Sequence, residues 1–259
     1  MVGTILARGM LVGIVAGLLA FGFAKFVGEP QVDKAIAFES AMDAAKEKAA
    51  MEAAKAKGEE MKMQENVELF SRETQSGIGL FTGVMAYGIA FGGIFSLVFA
   101  YSNGRLTKMG PRSLAALIAG LAFVVIVLVP DLKYPANPPS VGNPDTISQR
   151  TGLFFGMILC SIAAIIAAVT TARRLVERHG YWTATLAAGA IFIVVVAVVQ
   201  AILPDINEVP EGFPAVVLWR FRAAALGIQI VMWTTIGLGF GWLTERAQQA
   251  ARGMKRVAA

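Results

Sequence analysis

The sequence predicts an all-α polytopic membrane protein: six transmembrane helices in three hairpins, plus one extracytoplasmic amphipathic helical segment. Three observations predict it. Hydrophobic residues make up 56% of the 259 and charged residues only 16%, against about half and about a quarter in soluble domains. Six apolar stretches, near 5–27, 77–101, 112–130, 152–172, 182–203 and 221–243, reach or approach the ~20 residues a helix needs to cross a bilayer. The connectors between them alternate in charge, as the loops on the two sides of a membrane do.

The first stretch follows Arg8 and ends at Lys25-Phe26-Val27 without a small-x-small cleavage pattern, so it reads as a retained helix. Residues 28–76 then carry seven Lys/Arg against eleven Asp/Glu. Most of that connector, 31–70, is rich in Ala, Glu, Lys and Met, all good helix formers. It is expected to be a helix broken near Gly58, or a helical hairpin, lying as a cap on the membrane surface. The rest of the chain, 1–259, is expected to be one membrane domain around this insert.

The later connectors sort by charge. Residues 102–112 hold Arg105, Lys108 and Arg112 and no acid, and 173–181 hold Arg173, Arg174 and Arg178 against Glu177. The tail holds Arg246, Arg252, Lys255 and Arg256 against Glu245. Residues 131–150 are balanced and 204–222 slightly acidic. The excess of Lys and Arg puts the basic connectors and both termini in the cytoplasm, and the other three loops outside.

Nine of the ten prolines fall in or beside those three outer loops, with four in "KYPANPPSVGNPDT" (Lys133–Thr146). Proline limits the conformations a loop must lose on ordering, so the outer face is expected to be a stiff, shaped surface. "LVPDLKYP" (Leu128–Pro135) and "ILPDINEVP" (Ile202–Pro210) form a weak repeat. An acid follows each odd helix and an arginine precedes each even one, opposite to what helix dipoles favour. Two readings stay open. The acids Glu29 and Asp33 of the first loop, Asp131 and Asp145 of the second, and Asp205, Asn207 and Glu208 of the third bind a metal ion. Or they pair with Arg72, Arg150, Arg220 and Arg222, unless those arginines simply snorkel to the interface as anchors.

Glycine recurs every fourth residue at Gly9/Gly13/Gly17, Gly79/Gly83, Gly88/Gly92 and Gly237/Gly241. Such stripes let helices approach closely, here within the chain. Polar residues inside the spans are few: Gln200, Gln229 and several threonines, with no mid-span Asp or Glu. That argues against a carboxylate proton relay. Cys160 reads as a small buried hydrophobe, and His179 as a solvated residue beside the membrane. "MKM" at Met61–Met63 reads as packing rather than a soft-metal ligand. HExxH, P-loop, GxSxG and paired-cysteine patterns are all missing from the sequence, so no hydrolytic or ATP-driven chemistry is expected. Nothing indicates nucleic acid, since the net charge of +5 follows from the basic connectors.

Three segments, "RGMLVGIVAGLLAFGFAKFVGEPQVDKAIAFE" (Arg8–Glu39), "KYPANPPSVGNPDTISQRTG" (Lys133–Gly152) and "LPDINEVPEGFPAVVLWRFR" (Leu203–Arg222), resemble CbtA-type cobalt transporter subunits. The likeness covers nearly the whole chain and is weakest at 40–63. It implies a multi-pass subunit of the bacterial-type inner membrane that takes up cobalt for cobalamin synthesis. It further implies a small, histidine-bearing CbtB-type membrane partner, with cobalt as transported ion rather than tightly bound cofactor. The residues alone permit two functions: a divalent-ion permease whose acid-bearing outer face admits the ion, or a non-transporting scaffold whose rigid loops dock a partner.

Overall fold

The computed structural model describes residues 2–57, 70–105 and 109–257. Lys108, Gly58, Met61 and Met63, named above, lie outside them, and the side chains of Lys255 and Arg256 are not described. Helices account for every regular element among the described residues: α1 Val2–Phe23, α2 Glu29–Lys57, α3 Arg72–Thr74, α4 Leu80–Ser102, α5 Pro111–Ala122, α6 Val129–Lys133, α7 Ile147–Ile202 and α8 Ala215–Val257, with short π and 3₁₀ turns between them. Five continuous helical runs are long and apolar enough to cross a membrane.

Two of those runs pass through a proline without stopping. A proline lacks the N–H that would bond four residues back, and its ring crowds that carbonyl. The π turn Ala24–Gly28 comes just before Pro30, and the π turn Phe123–Leu128 just before Pro130. A π turn widens the ladder at the crowded carbonyl. So α1 continues into α2, and α5 into α6. The 31–70 insert therefore begins as an extension of the first run, and its described part is helical to Lys57.

The fourth run holds two of the expected spans in one assigned helix. Gly180, at φ 74° and ψ 168°, breaks its helical geometry, in a region open to glycine alone. Ser161 Oγ donates to the Val125 carbonyl at 2.5 Å, and Gln200 Nε2 donates to the Val129 carbonyl at 3.0 Å. The two donors are 39 residues apart, yet their acceptors are one turn apart on a single helix. In a straight helix those donors would be separated by about 58 Å. The run therefore is not straight, and Gly180 is where its helical geometry breaks.

The core is held by close backbone approach. A Cβ on Gly13 would run into the Gly88 carbonyl oxygen, and one on Gly9 into that of Gly92, so the stripes of α1 and α4 interlock. Gly237 and Gly241 of α8 sit likewise against Ala119, Ala115 and Arg112 of α5. Three of the four glycine stripes are thus used within the chain; the fourth is not, since a Cβ on Gly79 would touch only Thr74 of its own run and one on Gly83 nothing within 4 Å among the described residues. Between these pairs, Phe95, Phe99, Trp233, Ile236 and Phe240 fill the centre. By contrast the most apolar eighteen residues of α7 are almost uncovered, while its first half buries Met157, Ser161, Ala164 and Ala168. Cys160 lies exposed on it, which corrects the expectation of a buried thiol. A side chain can be apolar without being interior when the solvent is lipid.

At the end away from the long loops, Arg112 Nε reaches Glu245 at 2.5 Å and the Arg246 guanidinium lies 4.3 Å from the centre of the Trp242 ring. His179 is exposed there as well.

Candidate functional site

Val141 is the one aliphatic residue between Asn137 and Thr146, and it is 5% exposed. It packs with Ala35 and Phe38 of α2 and with Phe213, Val209 and Val217 of the third loop and α8. The rings of Phe38 and Phe213 meet edge-on at 5.0 Å. The three loop segments therefore share one small apolar knot. The prolines shape the loop that enters it: Pro138 is fully buried and its carbonyl accepts from Val141 N–H at 3.2 Å.

Charged contacts surround this knot. Arg72 pairs with Glu29 and, at 2.9 Å, with Asp33. Lys133 pairs with Asp205, and the Tyr134 hydroxyl donates to the Pro204 carbonyl at 2.9 Å. The two copies of the Pro-Asp repeat thus hold each other. Glu208 accepts from Asn143 N–H and the Thr146 hydroxyl, both at 2.6 Å, and lies 3.3 Å from Arg150. Arg150 reaches it across Gly142, where any Cβ would strike the guanidinium.

The Thr146 and Asn143 hydrogen bonds, aided by Arg150, hold the Glu208 carboxyl below its ordinary value. A carboxyl lowered on folding contributes stability above its unfolded value and loses it as pH falls through the folded one. The Glu208 clasp is therefore expected to be complete at neutral pH and to open only at acidities below the ordinary glutamate range. Spin labels at Ser148 and Glu211 should report one narrow distance at neutral pH that broadens on acidification. In Glu208→Gln the distribution should be broad throughout.

Behind the loops a cavity of about 730 Å³ opens between α4, α6, α7 and α8. Of the seven sequence-predicted metal ligands, Asp131, Asn207 and Glu208 line it; Glu29, Asp33, Asp145 and Asp205 do not. Of the four arginines, Arg150 and Arg222 line it, while Arg72 pairs elsewhere and Arg220 is exposed with no ion pair among the described residues. Arg222 donates to the Ala136 carbonyl at 3.3 Å and to Asn137 Oδ1 at 2.8 Å. Asp131 Oδ1 accepts from Ala136 N–H at 3.2 Å. It belongs to no ion pair among the described residues, which also hold no cluster of three or more His, Cys, Asp or Glu side chains able to bind a metal.

Sequence reasoning missed the knot and the inner lining of the cavity. A lone valine among prolines was the available signal for the first. Tyr87 and Phe91 of α4, which face the cavity, gave none, because aromatic residues in an apolar helix look the same whether they line a cavity or pack.

Residues 2–245 match the family model of CbtA, described as a probable cobalt transporter subunit. No curated protein and no solved structure matches.

Proposed function

Since the chain belongs to the CbtA family of probable cobalt transporter subunits, a multi-pass membrane protein, we propose that it is the membrane subunit through which cobalt, or a chemically similar divalent ion, is taken up. The ion comes in at an acid-bearing, proline-stiffened outer face and descends into the cavity between α4, α6, α7 and α8. On this reading α7 makes two spans that meet at Gly180, for six in three hairpins, all in one membrane domain with the 31–70 segment inserted at its outer side. The positive-inside rule puts both termini in the cytoplasm and the loop end at the outer side of the inner membrane. A small CbtB-type subunit is the expected partner, and the imported cobalt would serve cobalamin synthesis. The chain contributes no ATP site, so an ion gradient or a partner drives transport.

The observation that carries this reading is Asp131: a carboxylate lining a 730 Å³ cavity without an ion pair among the described residues. A desolvated carboxylate with neutral oxygens beside it can replace part of a cation's hydration shell, although the Arg222 guanidinium lines the same cavity and attracts Asp131. Asn207 supplies such an oxygen in the same cavity, while that of Asn137 is taken by Arg222. The competing reading, a scaffold that docks a partner without passing an ion, is favoured by a different observation. Glu29, Asp33, Asp205 and Glu208 are each matched with a base, as structural pairs would be. Cobalt uptake into proteoliposomes, with and without the small subunit, decides between them. Uptake that saturates with cobalt supports the permease; partner capture with no ion flux under any gradient supports the scaffold.

A further inference from the structure

We infer that the inner end of the cavity, where Tyr87 of α4 faces Gln229 of α8, is a second station for a partly hydrated divalent cation, immediately above a closed aromatic septum. The inference rests on the proposed uptake role and adds residues that role did not require.

Gln229 lies seven residues below Arg222, about 10 Å deeper along α8. The cavity wall at this depth is apolar, formed by Phe91, Ile126, Phe154, Ile158 and Leu226. Against it stand the Tyr87 hydroxyl and the Gln229 amide oxygen, 3.5 Å apart. That distance is at the far limit of a hydrogen bond, so the two oxygens hold each other weakly. Tyr87 is fixed by its ring, stacked on Phe91 at 4.2 Å and 28°. Two weakly engaged oxygens in an apolar pocket can accept hydrogen bonds from the waters that a divalent ion carries with it.

Below this pair the path closes. Phe91 meets Trp233 edge-on at 5.7 Å, and Phe240 meets Phe95 at 5.4 Å and Phe99 at 5.0 Å. These rings offer a cation no oxygen. The septum is also imperfectly satisfied: the buried Trp233 indole N–H has no hydrogen-bond partner among the described residues. An unpaired buried donor is destabilising, and Trp233 follows Gln229 by one helical turn. Rearrangement at this level can give that N–H an acceptor. An ion descending past Asp131 thus comes to rest between Tyr87 and Gln229.

Cobalt quenching of a single tryptophan tests this. In the full-length protein with Trp182, Trp219 and Trp242, all exposed, changed to Phe, Trp233 is the one remaining reporter. Cobalt chloride is titrated in detergent, with equilibrium dialysis in parallel and size exclusion to confirm folding. Expected is saturable quenching that weakens at least about tenfold in Gln229→Leu and in Tyr87→Phe and is retained in Gln229→Glu, which keeps the oxygen. Quenching unchanged in both the Leu and Phe variants overturns the station. So does dialysis that detects Asp131-dependent cobalt binding while Trp233 stays unquenched, which leaves the uptake reading standing. Cobalt bound by none of these proteins removes both.

Discussion

Replacing Asp131 by asparagine is expected to reduce cobalt uptake at least tenfold while leaving the protein folded. The carboxylate lines the cavity and its Oδ1 accepts the Ala136 N–H. Asparagine keeps an oxygen in that place, so the turn it supports survives. What disappears is the negative charge. A charge-assisted contact is worth about 1.5–3 kcal/mol, and about 1.4 kcal/mol is a factor of ten. Asp205→Asn is the matched control. It occupies the corresponding place in the Pro-Asp repeat, yet it lies outside the cavity, paired with Lys133. It should change uptake little, because Asp205 is itself almost fully exposed and lies outside the cavity. Uptake into proteoliposomes, normalised to inserted protein, separates the two. If both variants transport normally but fail to capture the partner subunit, the scaffold reading replaces the permease.

The contrast between these aspartates shows how far the sequence could be read. The repeat was legible, and so was the gathering of three proline-bearing loops at one end. Which aspartate faces the cavity was not. Pro130 stays inside a helix because a π turn absorbs it, carrying Asp131 along the helical path; the helix before Pro204 ends at Ile202. One local pattern has two backbone outcomes, decided by what packs around it. Charge counts had the same limit. They placed acids and arginines on a common face but could not say that Glu208 takes Arg150 while Asp131 takes a backbone N–H. Helix pairing was more legible, because a glycine stripe works only by close approach, and the stripes on α1 and α4 found each other.

That pairing yields the second large effect. Gly13→Ala and Gly83→Ala are the same chemical change and should differ in sign. In an open helical position alanine is favoured over glycine by about 1 kcal/mol. A methyl group on Gly83 would meet nothing within 4 Å among the described residues, so Gly83→Ala should leave thermal stability in detergent unchanged or slightly raised. At Gly13 the methyl group would overlap the Gly88 carbonyl oxygen and come within 3.0 Å of the Ile89 Cα. Both obstacles are backbone, which cannot rotate aside. The helices must separate, and overpacking of this kind costs about 1–3 kcal/mol or more, outweighing the gain in propensity. Gly13→Leu should prevent α1 and α4 from docking and abolish the monodisperse peak in size exclusion. Since α1 also packs on α8 through Val12 and Gly239, the loss should spread to the septum and not stay local. A Gly13→Leu protein that unfolds at the parent temperature would mean that α1 and α4 do not meet along this stripe, and with it the placement of Tyr87 opposite Gln229 would fail.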